Sequence, residues 1–296
     1  MKKTFFILIT LLQSAYSQPE QQPRHDSLIF GMERKHLLAY SLVAYSFSTF
    51  YIEYRWWWKG NYQKFGYKND GLFDNYSLGV DKAGHFYTHY FYFHALYELM
   101  EWSGFDETTT LVSSIAIPAL YGLSIEINDG FSFYAFSGYD LTANFLGIGY
   151  GVLQRIYPVL DNFRFKFSYY PSGNIPINLN FIPSSDYDGH MYWLSVNVHG
   201  ILPEQLKPYW PKFLNIAAGY GAINVYSTRP WFGGIKAAGT PTRKFAVSVD
   251  YNLGSISVED EFLYTFRNIV DYFHFPAPGV RQIQGQKPQV KPLLVN

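Results

Sequence analysis

The sequence contains no cysteine among its 296 residues, and it carries few charges. Without cysteine there are no disulfides, no thiolate zinc or iron–sulfur sites, no cysteine nucleophile and no lipidated N-terminal cysteine. Lys plus Arg and Asp plus Glu number 23 each, so the formal net charge is zero. A nucleic-acid-binding protein needs a basic surface, and this balance argues against one. The chain also lacks a Gly-x-Ser-x-Gly motif, a phosphate-binding loop and a dinucleotide fingerprint.

Aromatic residues are what the sequence has in excess. They make up 20% of the chain, whereas charged residues make up 16%, against about 25% in a typical soluble domain. Such a chain can bury a large core, and we expect disorder only at its ends. The composition is typical of envelope and membrane-surface proteins, although an aromatic-rich soluble barrel would also fit.

The N-terminus has the features of a Sec-type signal peptide over residues 1–17. Lysines at 2 and 3 precede a short apolar run at 5–12, and small residues favour cleavage before Gln18. The apolar run is too short to cross a bilayer. We therefore predict export to the periplasm or outer membrane of a Gram-negative-type envelope, with residues 18–33 forming a flexible leader.

The rest of the chain changes its hydrophobic period near residue 160. Residues 34–160 are predicted to be helical, and residues 161–275 alternate apolar and polar side chains as antiparallel strands do. Residues 276–296 form a Pro/Gln-rich tail that we predict to be extended. The fold class is α+β: a bundle of about four apolar helices followed by an antiparallel sheet or partial barrel. The helices are expected at about 34–58, 81–103, 107–128 and 138–157.

The first predicted helix has the composition of a membrane-contacting segment. Residues 37–52 lack charge, and Trp56-Trp57-Trp58-Lys59 resembles an interfacial aromatic belt. The segment is shorter than the roughly 20 apolar residues of a membrane span, and a core helix of a soluble bundle fits equally well. In the fourth helix, Gly147 and Gly151 have the spacing that permits close approach of another helix. The expected partners are a membrane surface or an envelope lipid and no nucleic acid; protein partners are unknown.

Ionisable residues are concentrated in three short stretches of otherwise apolar helices. If the second and third helices pack antiparallel, and a short loop returns the fourth, all three stretches meet at one end of the bundle. We predict that they form one polar cluster, the candidate site. Its members are Asp81, Lys82, His85, Glu126, Asp129, Asp140 and Asn144.

Several of these residues also have purely structural explanations. Asp81 suits the first turn of a helix, and Ser137 with Asp140 fits a capping box. Glu126 and Asp129 resist such explanations, because they lie three residues apart at the negative C-terminal end of a helix. An acid there is unfavourable by about 0.3–1 kcal/mol, so both are expected to need a partner.

The motifs of the cluster resemble a known family. Asp81-Lys82-x-x-His85-Phe86, Glu126-x-x-Asp129-Gly130-Phe131-Ser132 and Phe136-Ser137-x-x-Asp140-x-x-x-Asn144-x-x-Gly147 are similar to the YfiM-like family of predicted periplasmic lipoproteins, and more distantly to the VanZ-like family of small membrane proteins. The resemblance covers about residues 50–155. It implies an envelope location and a shared polar site, but no reaction. The sequence departs from the lipoprotein label because it has no cysteine to carry a lipid.

Three functional hypotheses follow from the cluster. In the first, it is a buried ion-pair network that fixes helix packing in a non-enzymatic structural or binding protein. In the second, the protein is a hydrolase or transferase acting on an envelope lipid or cell-wall group, with His85 as general base or nucleophile, Asp81 or Asp129 orienting it, and Lys82 clamping an anion. The third is a divalent metal site formed by His85, Glu126, Asp129 and Asp140, suited to zinc, manganese or magnesium. Neither a metal nor any other cofactor can be assigned from the sequence.

Overall fold

A computed structural model describes residues 28–29, 31–173, 183–225 and 239–295. The predicted signal peptide and residues 18–27 of the predicted flexible leader lie outside these residues, whereas residues 28–29 and 32–33 of that leader form two short paired strands. The described part contains a helical half and a sheet half, in that order along the chain.

The helical half contains four long helices whose bounds agree closely with the sequence prediction. They are α1 (Arg34–Glu53, continued by a π-helical turn, Tyr54–Trp58), α2 (Val80–Trp102), α3 (Glu107–Gly130) and α4 (Gly138–Ile156). Asp106 caps α3 by accepting a hydrogen bond from the Thr109 backbone, and α3 continues through Pro118.

The second helix lies at the centre of the bundle. Leu38 of α1 packs on Leu96 and Met100 near the end of α2, whereas Phe93 in the middle of α2 packs with Ile148 of α4 and residues of α3. The start of α1 therefore lies beside the end of α2, so these two helices are antiparallel.

Two glycines allow α4 to pack closely on α2, as their spacing predicted. A Cβ atom on Gly147 would lie 2.9 Å from the Tyr90 backbone nitrogen and nearer still to the Phe86 carbonyl oxygen. A Cβ atom on Gly151 would overlap the Phe93 ring. Gly149 has nothing within 4 Å of that position, so only the glycines that face α2 are needed for the contact.

The sheet half is a six-stranded antiparallel sheet. Two short strands, β1 (Leu28–Ile29) and β2 (Met32–Glu33), precede α1, and β3 (Tyr67–Lys68) pairs with β4 (Phe136–Ser137) beside the bundle. The large sheet consists of β5 (Phe163–Tyr169), β6 (His190–Val196), β7 (Leu214–Ile223), β8 (Thr242–Tyr251), β9 (Ala277–Ile283) and β10 (Gln289–Leu294), in the order 10-9-8-7-6-5. The short helices α5 (Val198–Ile201) and α6 (Glu261–Val270) connect its strands.

One face of this sheet packs on the bundle through aromatic rings. Phe165 of β5 makes an edge contact with Phe86 of α2, and Phe167 and Tyr192 both pack on Tyr87. These contacts join the two halves and place β5 and β6 beside the start of α2.

The other face of the sheet curls inward and buries polar side chains. Lys166 forms ion pairs with Asp250 (2.9 Å) and Asp271 (2.8 Å) and is 1% exposed. Ser168 of β5 donates a hydrogen bond to the Val295 carbonyl oxygen just beyond β10. The two edges of the sheet therefore approach each other, which makes it a partial barrel. Its interior holds these polar groups beside a buried apolar cluster of Met191, Trp193, Ala217, Ala246 and Leu294.

The fold class is confirmed, because an antiparallel sheet follows the helical bundle. Residues 276–296, predicted as an extended Pro/Gln-rich tail, contain β9 and β10 and complete the sheet. In the described residues, one helix is long and apolar enough to cross a membrane: α3, with a mean hydropathy of 1.5 and a third of that stretch buried. The uncharged segment 37–52 of α1 does not meet that criterion.

Candidate functional site

The predicted cluster residues lie together at one end of the bundle, which we call the polar rim. Three chain segments reach it: the start of α2, the end of α3 and the start of α4. The seven residues predicted from the sequence are Asp81, Lys82, His85, Glu126, Asp129, Asp140 and Asn144. Six of them form a continuous chain of contacts, and Asp129 stands beside it.

Lys82 is buried at the centre of three carboxylates. Its Nζ lies 2.6 Å from Asp70, 3.0 Å from Asp81 and 2.5 Å from Asp140. Burial works to lower the pKa of Lys82, but the charges of Asp81 and Asp140 raise it above its ordinary value. Its three donor hydrogens are matched by three anions, so Lys82 has no capacity left to clamp an anionic ligand as the enzyme hypothesis required.

Two further members of this network come from the loop before α2. Asp70 accepts hydrogen bonds from Lys82 and from the Ser137 hydroxyl. The Lys68 Nζ lies 3.4 Å from Asp70 and 3.6 Å from Asp140. Sequence reasoning missed both, because Asn69-Asp70-Gly71 reads as a turn signal. The short pairing of β3 with β4 holds this loop against the start of α4.

Asp81 also contacts the sheet half. Its Oδ1 accepts a 2.6 Å hydrogen bond from the Tyr187 hydroxyl, while its Oδ2 faces Lys82. The first-turn position predicted for Asp81 is correct, since α2 begins at Val80. Its side chain, however, links the bundle to the segment just before β6.

His85 lies between acidic groups on both sides of its ring. Its Nδ1 is 2.9 Å from Asn144 Oδ1 and 3.7 Å from Glu126 Oε1. Because an amide oxygen accepts hydrogen bonds, Nδ1 carries the proton there. On the other side, Nε2 lies 3.9 Å from Asp81 and 3.8 Å from Asp140, which is beyond hydrogen-bonding distance.

The charges around His85 favour its protonated form. Burial works to lower the pKa of the imidazole, but Asp140, Asp81 and Glu126 together outweigh it, and the pKa is raised. The ring remains one-fifth exposed, unlike Lys82. His85 is thus a charged or readily charged group with one open side.

Glu126 is the most deeply buried acid of the cluster. Burial raises its pKa to about 8, partly offset by His85. One oxygen, Oε2, accepts from the Ser137 backbone nitrogen at 3.2 Å. Ser137 caps α4 as predicted, because its hydroxyl accepts from the Asp140 backbone nitrogen. In a complete capping box, the Asp140 carboxylate would in turn accept a hydrogen bond from the Ser137 backbone nitrogen. Here Glu126 accepts that hydrogen bond instead.

Asp129 has a separate partner. It accepts a 2.7 Å hydrogen bond from the indole nitrogen of Trp58, at the end of the first helix. Burial raises the pKa of Asp129 to about 6. Within the described residues, no ion pair shorter than 4.0 Å joins it to His85, whereas Asp81 and Asp140 both flank the ring. Trp58 was interpreted from the sequence only as part of an aromatic belt.

A cavity of about 370 Å³ opens beside His85. Its charged and imidazole lining comes from Lys68, Asp81, His85, His89, Asp129, Asp140 and His190. Aromatic rings form much of the remaining wall, and they come from both halves of the molecule: Trp57, Tyr76, Tyr87, Tyr121, Tyr134, Phe167, Tyr169, Tyr187 and Tyr192. The cavity is within the size range of small-ligand sites.

The sheet residues of this wall were not predicted as site residues. Tyr187, Tyr192 and His190 reach the cavity because β6 packs next to the start of α2. His190 is buried, and its Nε2 lies 2.8 Å from the Pro183 carbonyl oxygen. No local pattern in the sequence marks these residues, because their placement depends on long-range packing.

A divalent metal ion at this site would compete with the Lys82 ammonium for the same carboxylates. Asp81, His85 and Asp140 each present one ligand atom, and these atoms lie within 4.8 Å of one another. The Lys82 ammonium, however, already lies within 3.0 Å of both carboxylates. A divalent ion would have to displace or repel it. Glu126 and Asp129, which the sequence hypothesis included, are not part of this triad.

The geometry therefore separates two parts of the cluster. Lys82 with its three carboxylates is an enclosed ion-pair network that ties the loop, α2 and α4 together. His85 with Asn144 stands at the edge of that network and faces the cavity. The first arrangement can hold helices in register, and the second can exchange a proton with a bound group.

Comparison with known proteins gives one family. Residues 69–156, less than half of the chain, match the family described as "Predicted periplasmic lipoprotein (DUF2279)". This segment contains all seven predicted site residues. The match supports an exported protein of the periplasm, with no reaction attached. No curated protein and no solved structure matches the chain.

Proposed function

We propose that the cavity binds the polar group of an envelope lipid or cell-wall compound, and that His85 exchanges a proton with it. The observation that carries this proposal is the position of His85 on the cavity wall, with Nδ1 held by Asn144 and Nε2 beside two carboxylates. The wider family likenesses, YfiM-like and VanZ-like, remain predictions.

The arrangement of His85 suits it for general acid–base work. The Asn144 contact fixes the ring orientation, so that the proton to be exchanged is on Nε2. Asp81 and Asp140 favour the charged ring from about 4 Å without holding it in a short hydrogen bond. A bound group placed against Nε2 would therefore meet a donor whose proton is not already committed.

Other residues support distinct roles in binding. Lys68, half-buried on the cavity wall, has looser ion pairs than Lys82 and is the better candidate to meet an anionic group. The aromatic wall offers apolar and π surface to the rest of the ligand. We assign Asp81 and Asp140 to positioning, because both also anchor Lys82.

A structural role is the second candidate, and a specific observation favours it. The ammonium of Lys82 is buried and satisfied by three carboxylates from three segments of chain. Breaking such a network by removing one partner typically costs about 3–5 kcal/mol. A protein could use this network to fix its fold and use the cavity only to bind.

The test compares a deletion strain with strains carrying His85→Ala or His36→Ala. His36 is a matched control, because its side chain is mostly exposed near the start of α1. We expect His85→Ala to reproduce the envelope lipid and cell-wall profile of the deletion, while the purified variant keeps its melting temperature. His36→Ala should restore the wild-type profile.

Two outcomes would reject the proposal. If His85→Ala restores the normal profile, the imidazole has no chemical role. If His85→Ala fails to restore the wild-type profile and the purified variant also has a lower melting temperature, the structural role is the better explanation. His85→Gln then serves as a second variant, because it keeps a hydrogen-bonding side chain but cannot transfer a proton.

A further inference from the structure

We infer that the outer surface of α1, α3 and α4 is a lipid-contacting face that lies against the hydrocarbon of a bilayer. This inference is independent of the chemistry proposed for His85. The distribution of charge along these three helices and the exposure of their apolar side chains both indicate such a face.

Both ends of the bundle carry charge. The polar rim lies at one end. At the other end, Arg34 pairs with Glu261 and donates to the Trp102 carbonyl oxygen, and Arg155 pairs with Glu98. We call this second group the far rim.

Between the two rims, the three outer helices carry no charged residue. The uncharged stretches are 37–52 of α1, 108–125 of α3 and 141–154 of α4. At the ordinary helical rise they measure roughly 24, 27 and 21 Å. The hydrocarbon layer of a bilayer is about 30 Å thick, so each charge-free stretch is short enough to lie within that layer.

The band exposes large apolar side chains on all three helices. Phe47 of α1 is 76% exposed, Leu120 of α3 65% and Leu146 of α4 60%. Others on the band are Tyr40, Val43, Phe50, Tyr51, Val112, Ile117, Phe145 and Leu153. So many exposed large apolar side chains are unusual on a monomeric soluble protein and indicate an interaction site.

Lipid fits this face better than a protein partner does. The exposed residues extend around α1 and are also present on α3 and α4, so the apolar side chains are spread over three helices, which a hydrocarbon layer can cover at once. Tryptophans at 56 and 57 lie at its edge next to the polar rim, where interfacial aromatic residues occur. In this arrangement the His85 cavity lies at the level of the lipid headgroups.

The absence of cysteine makes a direct test possible. Single-cysteine variants Phe47→Cys, Leu120→Cys and Leu146→Cys report on the band. Glu204→Cys is the control, because its side chain is 82% exposed in the sheet half. The full chain is incorporated into vesicles of phosphatidylethanolamine and phosphatidylglycerol, and the rate of reaction with a charged, membrane-impermeant maleimide is measured.

We expect each of the three band cysteines to react at least tenfold more slowly than the control in vesicles. All four should react at similar rates in urea-unfolded protein. Equal rates in vesicles would overturn the inference. Protection of the band in lipid-free solution, together with a doubled molecular mass, would instead show that a second copy covers the face and would also overturn it.

A second measurement covers the case in which a labelled variant folds poorly. Nitroxide labels placed along α1 at 40, 43, 47 and 51 report the ratio of oxygen to nickel-complex accessibility. Lipid contact predicts that this ratio is highest near the middle of the segment 37–52 and falls toward both rims. A ratio that is flat along the helix contradicts the inference.

Discussion

Two buried lysines, one in each half of the molecule, are surrounded by carboxylates. Lys82 in the bundle contacts Asp70, Asp81 and Asp140, and Lys166 in the sheet contacts Asp250 and Asp271. Both are almost fully buried. By burial and ion pairing alone, the two clusters are equivalent.

What separates them is the group at their edge. Beside Lys166, the Arg164 guanidinium pairs with Asp271 and Ser195 donates to Asp250, so the neighbours reinforce the same network. Arg164, Ser195 and Asp271 also line a second cavity of about 320 Å³, but there they are already paired within the network. Beside Lys82, the His85 ring has one nitrogen fixed and the other facing a cavity with aromatic walls. A buried ion pair therefore does not mark a functional site; an open titratable group next to one is a stronger indication.

The largest expected effect comes from removing each lysine. Lys82→Met leaves three carboxylates with Lys68 and His85 nearby, and Lys166→Met leaves two with Arg164 nearby. We expect each variant to lose about 3–5 kcal/mol of unfolding free energy, measured by urea denaturation. Equal losses would confirm that both lysines have the same structural role.

The pKa of His85, compared between the same two variants, distinguishes the two clusters. The charge of Lys82 lowers that pKa, so Lys82→Met should raise it further, whereas Lys166→Met should leave it unchanged. The His85 ring signal can be followed by NMR if either variant remains folded at low temperature. A shift of equal size in both variants would contradict the separation of the two clusters.

The next effect concerns the helix contact on which the polar rim depends. Gly147→Ala would force a Cβ against the α2 backbone, and overpacking of this kind typically costs about 1–3 kcal/mol. Gly149→Ala is the matched control, because its Cβ would meet nothing within 4 Å. The control should be neutral or more stable by up to about 1 kcal/mol. Thermal unfolding of the two variants measures the difference, and equal stabilities would rule out the close approach.

A smaller effect, dependent on pH, is expected for Glu126. Its pKa is raised from 4.5 to about 8 on folding, so the folded state holds a proton that the unfolded state releases. The stabilisation from this group is fully present below about pH 4.5 and is lost as the pH rises through about 8. Glu126→Gln removes that loss.

We therefore expect Glu126→Gln to be more stable than the wild type at pH 8.5, by on the order of 1 kcal/mol or more. The two proteins should converge near pH 5. Urea unfolding at both pH values measures the difference. A variant that is less stable at every pH would show that Glu126 is ionised and paired with His85 in the folded protein.

The polar rim could be predicted from the sequence because short loops favour antiparallel neighbours, and helix direction then determines which ends meet. Once neighbouring helices are taken to be antiparallel, Asp81, Glu126 and Asp140 fall at one end without any knowledge of individual side-chain contacts. Asp70 was missed because a short loop gives no directional information and its sequence is that of a turn. Tyr187 and Tyr192 were missed because only the docking of the sheet brings them to the cavity.

The sheet cluster was missed for a different reason. Alternation along β5 separates Phe165 and Phe167 from Lys166, and such a pattern ordinarily puts the charged side chain in water. The sheet curls so that the face carrying Lys166 is the enclosed one, which buries Lys166 against Asp250. Period-two patterning indicates that a strand has two different faces, but the curvature of the sheet decides which face is buried. The strands β9 and β10 that complete the curl lie in a Pro/Gln-rich segment with little strand signal.

The smallest expected effect is spectroscopic and asks whether Asp129 belongs to the polar cluster. The sequence offered it as an orienting partner for His85, but its short contact is with the Trp58 indole. Burial raises the pKa of Asp129 to about 6, so protonation there should weaken the indole hydrogen bond. Tryptophan emission should therefore change with a midpoint near pH 6, and Asp129→Asn should abolish that transition. If the transition disappears in His85→Gln instead, the indole senses the imidazole, and Asp129 is coupled to the cluster after all.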